Sequence, residues 1–360
     1  MSNQGATVAP TEIPGTAMPG PSARHLLLSL SEWLDPETLD VEDLMKASDV
    51  EPLNLTEDTE EFFLLGFQGS QLLRNVLFLL FIVAFNATIC GNLLIITLVS
   101  TSKILHTPMY FFISQLSITD ILLSTAIVPN SLHILLNNGA TITFTGCIIQ
   151  FYFFGGSEAF ECFLLAVMSY DRYVAICNPF RYSSIMSNEF CVKLVAVCWL
   201  LGFVISFMFT LTPSKLTFCQ PHIIDHVFCD LVPLLELSCS DTSIVHLEIY
   251  VVSLPAVFIP TTIIVISYIC IVSTIIRIPS STGRQKAFST CSSHLIVVSI
   301  FYGSLFSVYV IPTKGQTLTM SKILSLLYTV FTPLINPIIY TLRNKDIRKA
   351  VQRIFHKHKV

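Results

Sequence analysis

The sequence predicts an all-α membrane protein in which seven helices cross the bilayer. Of its 360 residues, 52% are hydrophobic and 12% are charged, about half the charged share of an ordinary soluble domain. Seven segments are apolar over the roughly 20 residues that a membrane-spanning helix needs. None has the alternating pattern of a transmembrane β-strand, and lipid offers the backbone no hydrogen-bonding partners. These segments are therefore predicted to be helices.

The predicted spans differ in the charges that they contain. The first, fourth and fifth contain none, the second contains only Asp120, and the third contains Glu158, Glu161, Asp171 and Arg172. An ionised, unpaired carboxylate costs about 3 kcal/mol at the centre of a bilayer, so these acids are candidates for function. In chain order, the spans are residues 76–99, 109–136, 142–177, 194–211, 249–276, 295–311 and 323–342.

The basic residues beside the spans predict the orientation of the protein. Loops on the cytoplasmic side of a membrane carry an excess of lysine and arginine. With an odd number of spans, the N-terminus is then outside. The ends predicted to be cytoplasmic carry Lys103, Arg172, Arg181, Lys193, Arg277, Arg284, Lys286 and seven bases in the last 20 residues. The opposite ends carry Arg74, Lys215, Lys314 and Lys322.

Charge and composition predict three regions. Residues 1–61 hold 13 acidic and two basic residues and are predicted to form an acidic, largely disordered outer head. A short amphipathic helix is possible within it over residues 26–44. Residues 62–342 are the predicted seven-helix membrane domain. Residues 343–360 form a basic cytoplasmic tail, which favours an amphipathic helix lying on an anionic leaflet.

The head contains a candidate glycosylation site. Asn54 begins the sequon Asn-Leu-Thr on the predicted outer side, about twenty residues before the first span. Glycosylation of Asn54 is expected, and an unused sequon is the alternative. Residues 1–44 are expected to be an upstream extension or a fused segment, with Met45 as the ordinary start of the protein.

Four of the eleven cysteines are predicted to face the oxidising outer compartment. Cys219, Cys229 and Cys239 lie in a long outer loop, and Cys147 lies at the outer end of the third span. Four cysteines allow three pairings, and their spacing does not choose among them. His226 lies close to Cys229, but a lone histidine is weak evidence for a metal ligand, so no transition metal is expected.

Asp120 and Glu161 are predicted to meet between the second and third helices. Two carboxylates at short distance repel each other unless a proton or a cation lies between them. The pair is therefore a candidate site for a sodium ion or a shared proton. The alternative is a pair of protonated, hydrogen-bonded acids with a structural role. No other cofactor is expected.

Two motifs at the cytoplasmic ends of spans predict a conformational switch. An Asp-Arg-Tyr tripeptide ends the third span, where the arginine can be held by the aspartate in one state and released to a partner in another. An Asn-Pro-x-x-Tyr motif lies near the end of the seventh span, where proline interrupts backbone hydrogen bonds and permits a kink. The residues of this switch are Asp171, Arg172, Tyr173, Asn336, Pro337 and Tyr340.

Longer motifs follow one another along the chain in a characteristic order. They are Gly91-Asn92, LHTPMYFFISQLSITD (105–120), MSYDRYVAIC (168–177), Ser267-Tyr268, KAFSTCSSHL (286–295), FYG (301–303) and PLINPIIYTLRN (333–344). Over about residues 60–355 the chain resembles the olfactory receptors, the odorant-sensing branch of the rhodopsin-like G-protein-coupled receptors. Its outer loop is similar to that of the class II, tetrapod-type receptors. Ser169, Phe180 and Ile335 depart from the usual family residues without removing a functional group.

The resemblance implies a receptor rather than an enzyme, with a rhodopsin-like bundle in the plasma membrane of olfactory sensory cilia. A small volatile odorant would bind within the bundle, and a stimulatory, olfactory-type G protein would be activated and raise cyclic AMP. The resemblance also implies disulfides joining Cys147 to Cys229 and Cys219 to Cys239. Tyr302 would be an aromatic switch beneath the ligand. The further residues implied in coupling to the G protein are Arg181, Tyr268, Arg277 and Lys286.

The ligand pocket implied by the resemblance lies between the outer halves of the third, fifth, sixth and seventh helices. Most of its members are apolar or aromatic, which is typical of sites that bind small molecules. Glu158 is the exception. If ionised it would favour an amine or a strong donor, and if protonated or bonded to nearby hydroxyl groups it would accept a neutral ligand. The implied pocket residues are Phe154, Gly155, Glu158, Ala159, Ser253, Ala256, Val257, Tyr302, Leu305, Phe306, Tyr309 and Thr329.

Other classes of function fit the sequence less well. A transporter would be expected to show a repeated half with helices broken at matching positions, and no such repeat is visible. An intramembrane enzyme would need a catalytic set at depth, but His294 stands beside serines without a nearby acid. A chemoreceptor of the same family acting outside the olfactory epithelium is the closer alternative. No nucleic acid partner is expected.

Overall fold

The computed structural model describes residues 61–219, 222–309 and 318–357. The predicted helix over residues 26–44 and the sequon at Asn54 lie outside the described residues, and so do the side chains of Lys286 and Tyr309. Contacts within the chain separate Met1–Thr56 from a second unit, Glu57–Val360, to which all described residues belong.

Seven helices among the described residues are long and apolar enough to cross a membrane, which confirms the predicted number. The first four are α1 (Gln71–Thr101), α2 (Pro108–Asn137), α3 (Phe144–Cys177) and α4 (Asn188–Leu211). The fifth and sixth are α5, made of Ser243–Glu248, a π-helical turn at Ile249–Ser253 and Leu254–Arg277, and α6 (Ser281–Tyr309).

The seventh span ends in a proline-containing segment and is followed by a short helix. The span α7 consists of Leu318–Leu326, a π-helical turn at Leu327–Phe331, and Thr332–Arg343, which contains Pro337. Helix α8 (Lys345–Lys357) follows directly and carries most of the basic residues of the tail. The basic tail is thus helical where the structure describes it.

Local sequence sets where the helices begin and end. The hydroxyl groups of Ser70, Thr143 and Ser187 cap α1, α3 and α4, because each accepts a hydrogen bond from the backbone N–H three residues later. Helix α2 begins at Pro108, whose missing N–H would have no helical partner at that position. It ends at Asn138, which adopts the left-handed conformation with φ of 57°.

Helix α3 is the central helix of the bundle. In its most apolar stretch 67% of the residues are buried, against 22% in α1 and 11% in α5. The latter two turn most of their surface to lipid, where apolar side chains need no cover. The buried cluster around the middle of α3 joins residues of α2, α3 and α6, namely Phe112, Leu116, Phe160, Leu164 and Phe301.

A glycine and an aromatic stack bring α3 and α4 close together. A Cβ atom at Gly202 of α4 would lie 2.9 Å from the backbone oxygen of Gly156 in α3, so a larger residue there would push the helices apart. Trp199 stacks on Phe160 with ring centroids 3.9 Å apart. This contact packs the middle of α3, close to Glu158 and Glu161, against α4.

Three short strands cover the end of the bundle predicted to face outward, and we call them the outer cap. Strand β1 (Glu61–Leu64) pairs antiparallel with β2 (Ala140–Thr143) and parallel with β3 (Ile223–Ile224). The side chains of Phe62 and Leu64 are fully buried beneath the cap. Sequence analysis did not predict this sheet, because β1 is short and begins at the last residue of the region expected to be a disordered head.

Two disulfides hold the outer loop that supplies β3. One joins Cys147 to Cys229 across 82 residues, and the other joins Cys219 to Cys239 across 20 residues. These are the pairs that the resemblance implies. Because Cys147 lies in the first turn of α3, the first disulfide ties the loop directly to the central helix.

Candidate functional site

The outer half of α3 meets the outer loop in an aromatic cluster. Phe154 is buried, and its ring centroid lies 5.3 Å from that of Phe228 in the loop and 6.0 Å from that of Tyr328 in α7. The neighbouring Thr329 is also buried, and its hydroxyl donates to the backbone oxygen of Ser325 at 2.9 Å. The structure thus places Phe154 against the loop and against Tyr328, the residue of α7 that precedes the predicted pocket residue Thr329.

The loop is fixed over this cluster by a glutamine. The side chain of Gln150 in α3 accepts a hydrogen bond from the backbone N–H of Cys229 at 3.0 Å and donates to the backbone oxygen of Ala126 in α2 at 2.9 Å. This single side chain links the loop to two helices. Gln150 was not among the predicted site residues. Its polar side chain within an apolar span is the feature of the sequence that could have identified it.

Glu158 lies one helical turn below Phe154 and is 8% exposed. Neither of its carboxylate oxygens has a hydrogen-bond partner within the described residues, and the same holds for the hydroxyl of Ser157. The two side chains therefore do not satisfy each other. A buried carboxylate without a donor is costly, which marks Glu158 as a position awaiting a proton, a cation or a ligand.

The other two intramembrane acids lie around one amide group. Asn336 of α7 donates through Nδ2 to both carboxylate oxygens of Asp120 in α2, at 3.0 and 3.2 Å. Glu161 of α3 is buried next to the same amide, although the geometry of the described residues gives its oxygens no hydrogen bond. Among the described residues there is no group of three or more His, Cys, Asp or Glu side chains suited to a metal ion.

The remaining predicted pocket residues fall into two groups. The hydroxyl of Tyr302 in α6 donates to the backbone oxygen of Cys162 in α3 at 3.2 Å, so Tyr302 reaches the centre of the bundle. The predicted pocket residues that are half-buried are Ala159, Ser253, Ala256, Val257 and Leu305.

Two predicted pocket residues point elsewhere. Gly155 faces α4, because a Cβ atom there would lie 3.1 Å from the hydroxyl oxygen of Ser206. Phe306 is 59% exposed on the surface of α6, away from the aromatic cluster. The structure does not bring these two residues to Phe154 and Glu158. The side chain of Tyr309 lies outside the described residues.

At the cytoplasmic end of α3, Arg172 is held by its neighbour. The guanidinium donates through Nε to Asp171 at 2.9 Å and forms an ion pair with the same carboxylate through a second nitrogen. Tyr182 donates to the other oxygen of Asp171 at 2.7 Å. Burial, reinforced by Asp171, raises the pKa of Tyr182, so this phenol remains a donor. The three side chains form a closed unit in which the guanidinium is held by Asp171.

The other predicted switch residues surround this unit. The hydroxyl of Tyr268 in α5 is hydrogen-bonded to Nδ1 of His294 in α6 at 2.7 Å, and the two rings stack. Tyr340 is buried near the end of α7, and Tyr173 is half-buried. This arrangement joins α5 to α6 beside the held arginine. His294, which the sequence places beside serines without a nearby acid, thus has a phenol as its hydrogen-bond partner.

Most of the chain, including both ends of α3, matches the model of a known family. The family model described as "Olfactory receptor" matches residues 77–358 of the chain. The chain belongs to the olfactory receptor family. It is a seven-helix receptor of the G-protein-coupled class and a multi-pass protein of the plasma membrane, and proteins of this family are receptors rather than enzymes.

The relatives of the receptor are similar over nearly their whole lengths. It is 45% identical to human "Olfactory receptor 11H4" over 308 residues, which cover 85% of this chain and 95% of that protein. It is 47% identical to human "Olfactory receptor 6F1" over 292 residues, covering 81% and 95% of the two chains. Mouse "Olfactory receptor 5AP2" is 45% identical, with coverage of 85% and 96%.

A solved structure supports the same fold. The crystal structure of squid rhodopsin superposes on the receptor with a TM-score of 0.62, covering 80% of this chain and 87% of the rhodopsin chain. The sequences are 18% identical, so this likeness concerns the fold alone. The expected rhodopsin-like bundle is confirmed.

The receptor also carries an ionic contact beneath the outer cap that sequence analysis missed. Lys322 of α7, whose side chain is 5% exposed, forms an ion pair with Asp225 of the outer loop and donates to the backbone oxygen of Gly66 at 2.8 Å. It thereby joins the seventh helix to the loop and to the segment after β1. From the sequence, Lys322 could be recognised only as one of the bases at the outer ends of the spans.

Next to this contact, the loop carries a buried histidine and a buried acid. Burial lowers the pKa of His226, whose Nδ1 lies 3.2 Å from the backbone oxygen of Phe228. Burial raises the pKa of Asp230, which accepts a hydrogen bond from the backbone N–H of Leu231 at 2.7 Å. Because Cys229 is in a disulfide, it is not available to join His226 as a metal ligand.

Replacing Lys322 with methionine is expected to lower the stability of the folded receptor by about 2 kcal/mol. The change leaves Asp225 and the Gly66 carbonyl without their cation, and the partial exposure of Asp225 keeps the cost below that of a fully buried pair. Thermal unfolding of the purified receptor measures the effect as a melting temperature several degrees lower. Lys193→Met is the matched control, since the ion pair of Lys193 with Glu189 is exposed on both sides. Equal melting temperatures for the two variants would contradict the role of Lys322.

Proposed function

We propose that the receptor binds a small volatile odorant between the outer halves of α3, α5, α6 and α7. It then activates a stimulatory, olfactory-type G protein, which raises cyclic AMP. The observation that carries this proposal is that one helix connects the two sites. Glu158 and Arg172 lie 14 residues apart on α3, about 21 Å along the helix axis. A ligand that moves the outer half of α3 can therefore act on the held arginine.

The chemistry of the outer site supports a ligand of small size and mostly apolar surface. Phe154, Phe228 and Tyr302 offer aromatic faces, and burial of apolar surface is the main source of affinity for such molecules. A ligand of about ten non-hydrogen atoms cannot gain much more than micromolar affinity from dispersion and burial. The polar groups of the site then fix its orientation. This combination suits detection and rapid release of an airborne compound.

Exposed residues beside the held arginine support docking of the G protein at the cytoplasmic end. Arg181 and Arg277 are exposed there, and Lys286 follows on α6. Phe180, in the turn Pro179–Arg181, is 100% exposed. A fully exposed aromatic side chain next to arginine is typical of the anchors that dominate binding at protein interfaces. Sequence analysis noted Phe180 only as a departure from the family pattern.

Replacing Phe180 with alanine is expected to reduce activation of the G protein about tenfold without changing ligand affinity, because the anchor contacts the partner and not the ligand. Nucleotide exchange on the purified G protein measures activation, and ligand-induced thermal stabilisation measures affinity. Phe190→Ala is the control, because Phe190 also lies near the cytoplasmic end but is 37% exposed. A Phe180 variant with unchanged exchange would contradict the proposed docking surface.

We also propose that Asp120 and Glu161 hold a sodium ion or a shared proton beside Asn336. The crowding of two carboxylates around one amide supports this, because the ionised pair needs a positive charge between them. A cation here stabilises the arrangement in which the helices stay close, and so the held state.

Sodium is therefore expected to lower basal signalling relative to choline at equal ionic strength. The effect should be lost in Asp120→Asn, which removes one charge while keeping the size of the side chain. Basal nucleotide exchange in membranes measures it. Equal basal exchange in the two salts would refute the sodium ion and leave the shared proton.

The proposed function is tested by measuring cyclic AMP in cells that express the receptor with the olfactory stimulatory G protein. A panel of acids, aldehydes, ketones, alcohols, thiols and amines is screened, with Arg172→Ala as the signalling-dead control. A dose-dependent rise in cyclic AMP that the variant loses is the expected result. A rise of equal size in the variant, or coupling only to another class of G protein, would contradict the proposal. We place the receptor in olfactory sensory cilia, with a glycan on Asn54.

A further inference from the structure

The carboxylate of Glu158 is buried without a hydrogen-bond donor or a cation to stabilise its charge. Glu158 is only 8% exposed, and within the described residues no hydrogen-bond donor reaches either of its carboxylate oxygens. No lysine or arginine of the described residues pairs with it. An intramembrane carboxylate in this position is stabilised by a positive charge more than by any other group that could enter.

A second carboxylate, that of Asp230, adds to the unfavourable negative charge around Glu158. Asp230 follows Cys229, whose disulfide and whose hydrogen bond to Gln150 hold the loop against α3. Asp230 is buried, and it interacts with Glu158 as a like charge. Burial lowers the pKa of the neighbouring His226, which disfavours the imidazolium that could offset the two acids. Lys322 lies near His226 but is already paired with Asp225, so neither Glu158 nor Asp230 has a cationic partner among the described residues.

Aromatic rings lie next to both acids. Phe154 is one helical turn from Glu158, and Phe228 is two residues before Asp230. The two rings contact each other with centroids 5.3 Å apart. The face of an aromatic ring attracts a cation, and the attraction is larger where water is excluded. Acids and ring faces together are complementary to a cation that has an apolar body.

We propose that the odorant class recognised by this receptor is the small organic amines, bound as ammonium ions to Glu158 beside the contacting rings of Phe154 and Phe228. This inference rests on the proposed function and names its ligand class. A bare metal ion fits the position less well, since it requires about six oxygen ligands where the walls are aromatic. An alkyl or aryl amine offers both a charge for the carboxylate and an apolar surface for the rings.

Ligand-induced thermal stabilisation of the purified, full-length receptor tests the inference. The probes are butylamine, hexylamine, cyclohexylamine and benzylamine, each paired with the alcohol of the same carbon skeleton. Each amine of the panel is expected to bind at least about tenfold more tightly than the alcohol of the same skeleton. Tenfold corresponds to the low end of the free energy that a hydrogen bond to a charged group contributes. In Glu158→Gln, which keeps the shape of the side chain, this preference is expected to disappear while binding of the alcohols remains.

Two further variants separate charge from folding. Glu158→Asp keeps the charge and is expected to keep part of the amine preference, even where it lowers the melting temperature. Glu189→Gln removes an exposed acid on α4 and is expected to change nothing. Alcohols that bind as tightly as their amines throughout the panel, or amine binding that is undiminished in Glu158→Gln, would overturn the inference.

Cyclic AMP measured with the same probes distinguishes this inference from the proposed function. Amine binding that requires Glu158 but produces no cyclic AMP would refute the proposed coupling and leave the amine site standing. A cyclic AMP response to neutral compounds, lost in Arg172→Ala and unaffected by Glu158→Gln, would support the proposed function and overturn the amine class.

Discussion

Replacing Cys147 with serine is expected to prevent the receptor from reaching the cell surface in folded form. The disulfide to Cys229 closes 82 residues, and restricting a loop of that length in the unfolded chain stabilises the folded state by about 4 kcal/mol. Its loss also releases the loop that places Phe228 over Phe154. Surface labelling and thermal unfolding of the receptor measure the two effects.

Two cysteine variants serve as controls for this prediction. Cys90→Ser removes a free, exposed cysteine of α1 and is expected to leave surface expression unchanged. Cys219→Ser breaks the disulfide that closes only 20 residues and is expected to have an intermediate effect. Normal surface expression and ligand response of Cys147→Ser would show that the hydrogen bond from Cys229 to Gln150 suffices to hold the loop.

Replacing Asp171 with asparagine is expected to raise basal signalling about tenfold. Arg172 is 7% exposed and depends on Asp171 for its charge partner, so the substitution destabilises the held state more than a state in which Arg172 is free for the G protein. A relative shift of about 1.4 kcal/mol between two states changes their ratio tenfold. Basal nucleotide exchange by the purified receptor measures the shift.

Tyr182→Phe is a milder variant that weakens the same unit without removing the charge of Asp171. It removes the hydrogen bond of 2.7 Å to Asp171 but keeps the ion pair, so a smaller rise in basal exchange is expected. Basal exchange in Asp171→Asn at or below that of the unaltered receptor would contradict the switch. Thermal unfolding must be measured alongside, since a variant with lower stability and lower exchange has lost its fold rather than its switch.

The membrane architecture was predictable because lipid requires long apolar helices. All seven spans were found from runs of apolar residues, but their ends were not. Helix α6 begins at Ser281, well before the predicted residue 295, because its first turns carry Arg284 and lie outside the apolar layer. Hydropathy detects the part of a helix that lies in lipid, but it does not detect helical turns that continue into water.

The rotation of each helix about its axis could not be predicted from distances along the sequence. Phe154 and Gly155 are adjacent, yet the first faces the loop and α7 while the second faces α4, because successive residues differ by about 100° around a helix. The same limit applies to Phe306. Glu158 was singled out correctly as a buried intramembrane acid, since the cost of burying its charge is independent of orientation.

Apart from the two disulfides implied by the family resemblance, several contacts that depend on tertiary packing were not predicted. Lys322 could be recognised as a base beside a span, but its burial beneath the outer cap depends on Asp225 and Gly66, which are remote in the sequence. Strand β1 has four residues, too few for a periodic signal. Tyr182 lies outside the Asp-Arg-Tyr motif, and only the folded chain places its hydroxyl against Asp171.

The central claim is that ligand binding in the outer half of α3 activates a G protein through Arg172. Nucleotide exchange on the purified olfactory stimulatory G protein, driven by the purified receptor with and without an agonist from the screen, tests it most directly. The predicted order of basal exchange is Asp171→Asn above the unaltered receptor and Arg172→Ala lowest, with agonist stimulation lost only in Arg172→Ala. Agonist-stimulated exchange by Arg172→Ala equal to that of the unaltered receptor would contradict the account.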